Sequence, residues 1–221
     1  VCRSVTRFQF RWHVVTTLVV ATTLFGQLAS SISGGMSPVD FFSYFTIQSN
    51  SLVLAAELSI VLGLGVGATW FRLLRLAALT GITVTFCVYA VLIGPKVSLT
   101  GIDWWLDQGL HVVTPLLAVF AQVIVGPRTR FDWRDLLFVG WPVAWLAWTF
   151  SRVAWGNPRF PMPDESFATV PYDFLDTELN GTGAVMVTVV LITAFLLAIA
   201  AGFIAVSRRS SASPVAAPVV K

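Results

Sequence analysis

The chain has 221 residues, of which 56% are hydrophobic and 11% charged, with a mean hydropathy of +0.80. That balance excludes a soluble globular domain and describes a polytopic membrane protein, with room for five to seven helices at about 20 apolar residues per span. The net charge of +3 is no argument for nucleic acid, because topology accounts for most of the basic residues.

Arg3, Arg7 and Arg11 precede the first apolar run, about 12–28. A signal peptide is the competing reading, but the residues around Ala29 give no clear small-x-small site, and a retained helix is expected. A loop with Gly34, Gly35 and Pro38 leads to a second span at about 45–66. Arg72 and Arg75 flank a tight turn into the third span, about 73–93, which closes on Gly94-Pro95. The fourth span is about 106–125, ended by Gly126-Pro127, and the fifth, rich in tryptophan, about 136–155. A long segment with Pro158, Pro161, Pro163 and Pro171 precedes the last span at about 181–206. Residues 207–221 read as a disordered tail.

The expected fold is therefore all-α, a single transmembrane bundle of six helices over 1–206, with both termini on one side. Eleven of the fourteen Lys and Arg residues fall on that side, against Lys96, Arg152 and Arg159 opposite. The positive-inside rule makes that side cytoplasmic and the protein a multipass component of the plasma (inner) membrane. Cys2 and Cys87 lie in a terminus and a span, which argues against a structural disulfide and against a metal site. No metal or cofactor is expected. There is no glycine-rich phosphate loop and no G-x-S-x-G elbow.

Two helices carry polar stripes. On the second span, Thr46, Ser49, Asn50, Val53 and Glu57 share one face at about 100° per residue. Gln48 and Ser51 lie beside them. Hydrocarbon offers such groups no hydrogen-bond partner, so the stripe must face protein or a cavity, and an ionisable residue there is a functional candidate. On the fourth span, Asp107, His111, Thr114, Pro115 and Ala118 are followed by Gln122. Thr46 and Glu57 are eleven residues apart, as are His111 and Gln122. Both helices run inward in this topology, so Thr46 should meet His111 in the outer leaflet and Glu57 should meet Gln122 deeper.

Thr46 and His111 suit a nucleophile and its base, since a hydroxyl attacks only when a neighbouring base takes its proton. Asp107 could fix the imidazole tautomer, and Asn50, Ser49 or Gln48 could donate to an oxyanion. The plainer alternative is hydrogen bonding across helices. Glu57 is either a structural tie to Gln122 or part of a proton or cation path. His13 is expected at the edge of the first span, in interfacial packing. The Trp141, Trp145, Trp148 and Arg152 face of the fifth span could stack a ligand, or pack against lipid or core.

Tyr44-Phe45-Thr46 with Asn50, His111 ahead of Pro115, and Tyr172-Asp173-Phe174-Leu175 before the last span resemble the androgen-induced-protein family and its small bacterial six-helix members. The resemblance implies a multipass threonine hydrolase of fatty acid esters of hydroxy fatty acids, with Thr46 as nucleophile, His111 as base and Tyr172 in the substrate cavity. The expected function is thus intramembrane lipid ester hydrolysis. Its partners would be the bilayer and a lipid ester. A polar cavity is expected between the second and fourth spans, and the alternatives are a carrier or sensor binding a small amphiphile in it while Glu57 titrates, and a structural partner of another membrane protein.

Overall fold

The computed structural model describes residues 6–162 and 166–209. The described residues are mostly helical, with one short hairpin among them pairing β1 (Phe160–Pro161) and β2 (Phe167–Ala168). Among the described residues, five helices are long and apolar enough to cross a membrane: Arg7–Ser33, Thr69–Lys96, Gly101–Val125, Trp133–Trp155 and Thr182–Arg209. They fit an integral membrane protein. The helix at the second expected span, Phe45–Val61, is apolar but only 17 residues long, or about 25 Å.

Helix α1 (Arg7–Ser33) starts earlier than hydropathy suggests, because Thr6 and Gln9 close a capping box. The hydroxyl of Thr6 accepts from the Gln9 N–H while the Gln9 side chain accepts from that of Thr6. After a single turn, α2 (Pro38–Phe41), the chain enters α3 (Phe45–Val61). Its end falls short of the expected 66 because Gly63 (φ 66°) and Gly65 (φ 60°) take left-handed conformations that stop the helix.

Helix α4 (Thr69–Val88) is the hub of the bundle. Over an apolar stretch of 18 residues 56% are buried, against 17% in α1 and in the last helix and 11% in the Trp133–Trp155 segment, so α4 lies inside and these three form the rim. Leu76, Leu79 and Ile82 of α4 pack with Val20, Val53, Ala118, Leu196 and Ala200 in the main core. The α4 helix ends in a π turn, Tyr89–Ile93. The next span is built from α5 (Gly101–Gln108), a second π turn (Gly109–Val113), α6 (Thr114–Phe120) and a third π turn (Ala121–Val125). A 3₁₀ segment, Trp133–Val139, leads into α7 (Gly140–Trp155). A short turn, α8 (Thr177–Asn180), precedes α9 (Thr182–Arg209). That last helix carries residues 207–209 of the expected tail, and the remainder of the tail lies outside the described residues.

The polar links sort into two ends. At one, Arg72 pairs with Asp135 at 3.2 Å and Arg208 with Asp132 at 3.0 Å. At the other, Lys96 pairs with Asp173 and Arg152 with Asp40, both at 2.6 Å, and Ser30 donates to Asp103 at 2.8 Å.

Candidate functional site

Thr46 is the second residue of α3, so its N–H is one of those that a helix start leaves without an intrahelical acceptor. The Tyr172 hydroxyl accepts from it at 3.1 Å, and the same oxygen lies 3.3 Å from Thr46 Oγ1. Thr46 Oγ1 also lies 3.2 Å from His111 Nε2. His111 Nδ1 faces Asp107 twice, at 2.9 Å from the carboxylate Oδ1 and 3.0 Å from the backbone oxygen. Both Asp107 atoms are acceptors, so Nδ1 carries the hydrogen and Nε2 is left to accept from the threonine. Thr46 can donate to His111 while accepting from Tyr172, which directs its free lone pair. Tyr172 lies in the segment between α7 and α9, where burial pushes its phenol above the ordinary value. It therefore remains a donor at neutral pH.

The histidine is presented by local backbone chemistry. In the π turn Gly109–Val113 the Thr114 N–H bonds back five residues to Gly109. Continued by one residue, that register would set Pro115 against the Leu110 carbonyl, and proline has no N–H to give. Asn50 Nδ2 supplies the donor instead, at 3.2 Å, while also donating to the Thr46 carbonyl at 2.8 Å.

This revises the sequence-based role of Asn50. Both its amide hydrogens are committed to carbonyls, so it ties α3 to the His111 turn and does not face an oxyanion. Ser49 is likewise engaged, with Thr85 Oγ1 at 2.9 Å and the Thr46 carbonyl at 3.0 Å. Gln48 donates to the Phe42 carbonyl and accepts from Trp141 Nε1. The tryptophan face of α7 packs against the start of α3: Trp145 and Trp148 donate to Ser43, and Phe45 stacks on Trp141 at 4.8 Å.

The deeper pair expected from the sequence does not form. Glu57 accepts from Arg75 Nη1 at 2.5 Å and lies 2.5 Å from His13 Nδ1, all three side chains being at most 1% exposed. Gln122 turns away to bond both the N–H and the carbonyl of Thr129. His13 is not at an interface but fully buried, its Nε2 facing the Gly126 carbonyl at 2.9 Å. Arg75, expected beside the turn into the third span as a cytoplasmic-end charge, is inside the bundle. Charges near span ends read as topology signals, and nothing in their spacing separates a buried one from an interfacial one.

A cavity of about 110 Å³ opens beside Thr46, between α4, α7, α9 and the segment carrying Tyr172. It is not the polar cavity expected between the second and fourth spans: no residue of the fourth span lines it, and its walls are almost entirely apolar, with Thr46, Thr85, Tyr172 and Thr193 the hydroxyl-bearing residues among them. His111, Asn50, Glu57 and Gln122 do not line it. The nucleophile candidate thus stands in the cavity wall with the base candidate behind it. Among the described residues no group of three His, Cys, Asp or Glu side chains could hold a metal ion. The chain matches no family model, no curated protein and no solved structure.

Proposed function

We propose that the chain is an intramembrane ester hydrolase with Thr46 as nucleophile and His111 as base, acting on a lipid ester. The carrying observation is that Thr46 Oγ1 lies 3.2 Å from His111 Nε2 while lining an apolar cavity. Thr46 Oγ1 attacks the acyl carbon and its proton passes to His111 Nε2. The tetrahedral oxyanion is stabilised by the Tyr172 hydroxyl and by the positive end of α3, at whose first turn Thr46 sits. His111 returns the proton to the departing alcohol. It then takes one from water, whose oxygen attacks the acyl-threonine ester, and gives that proton to Thr46 Oγ1 as the acyl–Oγ1 bond breaks and the acid leaves. Asp107 holds the imidazole in the tautomer this needs.

The membrane arrangement belongs to the same proposal: six crossings including α3, both termini cytoplasmic, in the plasma membrane. Its support is the excess of Arg at the end of the bundle that holds Arg72 and Arg208. The catalytic group then lies in the outer leaflet, and substrate reaches it laterally between the rim helices. The residues in the site are those that carry the resemblance to the androgen-induced-protein family. A carrier in which Glu57 titrates finds less support, because Glu57 is held by Arg75 and His13 away from the cavity.

The test is covalent labelling of the purified protein by a fluorophosphonate. Labelling lost in Thr46→Ala and weakened in His111→Ala, both correctly folded, is the expected result. Equal labelling of all three proteins would refute the Thr46 mechanism.

A further inference from the structure

We propose that Tyr89 is a positioning residue that holds Asp107 and His111 in the geometry needed for proton transfer from Thr46; the inference rests on the hydrolase reading. Tyr89 lies in neither polar stripe, and its ring stacks on the His111 imidazole at 4.2 Å and 13°. Its hydroxyl donates to Asp107 Oδ2 at 2.5 Å and accepts from Gln108 Nε2 at 3.0 Å. The two Asp107 oxygens are therefore divided: Oδ1 receives His111 Nδ1 and Oδ2 receives Tyr89. A carboxylate pinned at both oxygens cannot rotate, and a ring clamped on one face cannot swing away from Thr46. Tyr89 is 9% exposed and the Asp107 and His111 side chains 13%, so water competes little for these bonds.

Backbone irregularity points to the same pair. Tyr89 opens the π turn Tyr89–Ile93, and His111 sits at the centre of the π turn Gly109–Val113. Each π turn inserts one residue into a helix and redirects the side chains around it, a departure that costs regular hydrogen bonding and recurs at functional sites. Here the two insertions lie on neighbouring segments and bring their aromatic rings face to face.

The roles of ring and hydroxyl separate by substitution. Tyr89→Phe keeps the stack and loses the bond to Asp107, whereas Tyr89→Leu loses both. With ¹⁵N-histidine protein in lipid nanodiscs, His111 is assigned as the signal missing from His111→Ala, since the chain has two histidines. The parent is expected to show Nδ1 protonated and Nε2 bare. Tyr89→Phe should release Asp107 Oδ1 from Nδ1, leaving that hydrogen to the Asp107 backbone oxygen and shifting the Nδ1 signal, and slow the maximal rate of fluorophosphonate labelling about 10–100-fold, the range for a metal-bound histidine that loses an orienting partner, with the half-saturating concentration unchanged. Tyr89→Leu should slow it further.

An unchanged His111 Nδ1 signal in Tyr89→Phe would overturn the proposal, even if the variant were less stable. Should the parent fail to label, the hydrolase reading falls, and the ¹⁵N measurement still decides whether Tyr89 positions His111.

Discussion

Arg75 and Glu57 form an ion pair inside the helical bundle, Nη1 to Oε1 at 2.5 Å, with side chains 1% and 0% exposed. The pair joins α4 to α3, and His13 of α1 closes on the other carboxylate oxygen. Removing one partner leaves a buried charge uncompensated, which costs about 3–5 kcal/mol. Glu57→Ala and Arg75→Ala should each lower stability by that order in thermal unfolding of the micellar protein. The joint change to Glu57→Leu with Arg75→Met should recover much of it, because it removes both charges and keeps the volume filled. A double variant as unstable as the sum of the single ones would show that the pair is not the tie it resembles.

Glu57 lies eleven residues from Thr46 along α3, about 16 Å, and touches no cavity residue through its bonds. Glu57→Gln should therefore alter stability without abolishing labelling at Thr46 in the fraction that folds. Labelling lost from a folded Glu57→Gln protein would connect the cluster to the chemistry.

Tyr172→Phe separates ring packing from hydroxyl chemistry. The ring stacks on Phe174 at 5.2 Å and 4° and meets Tyr44 edge-on at 5.8 Å, and phenylalanine can keep both contacts. The lost hydroxyl leaves the Thr46 N–H without its acceptor, a stability cost of about 1 kcal/mol. Loss of an oxyanion donor reduces turnover about 10²–10³-fold. Turnover of a lipid ester, once one is found, should fall by that order while thermal unfolding moves little. Unimpaired turnover would assign the oxyanion to backbone N–H groups at the start of α3.

The sequence made the Thr46–His111 contact legible, since two inward-running helices with polar residues at matching depth can meet at that level. The same reasoning failed one step deeper for a physical reason. Equal spacing keeps two residues on one face only in a regular helix, and the span from Gly101 to Val125 contains π turns at Gly109–Val113 and Ala121–Val125. These rotate Gln122 away from α3 and toward Thr129. Tyr89 was invisible for a related reason, because its place opposite His111 depends on a π turn that hydropathy does not encode. His13 and Arg75 carried the signal of span ends, and only the packing of α1, α3 and α4 shows them facing Glu57.

The crossing of α3 can be tested by sided chemistry. In a background without Cys2 and Cys87, six crossings put Lys96→Cys outside and Arg130→Cys inside. An impermeant maleimide should label the first in intact cells and the second only after permeabilisation. If the 17-residue helix Phe45–Val61 does not cross, the two results exchange.

Helix α1 approaches the histidine turn closely at Gly109. A Cβ on Gly109 would stand 2.2 Å from Thr23 Cγ2, closer than packed atoms approach, and 3.0 Å from Thr23 Cβ, a tight contact that a small shift relieves. Gly109→Ala must push α1 away from the π turn, and overpacking of this kind costs about 1–3 kcal/mol. Because His111 lies two residues on, the displacement should also lengthen its contact with Thr46 and slow labelling. Thr23→Ala removes the nearer atom and should restore most of both losses in the double variant, whose effects would then be non-additive. Additive losses across the four proteins, measured by thermal unfolding and by labelling rate, would show that Thr23 does not seat the turn.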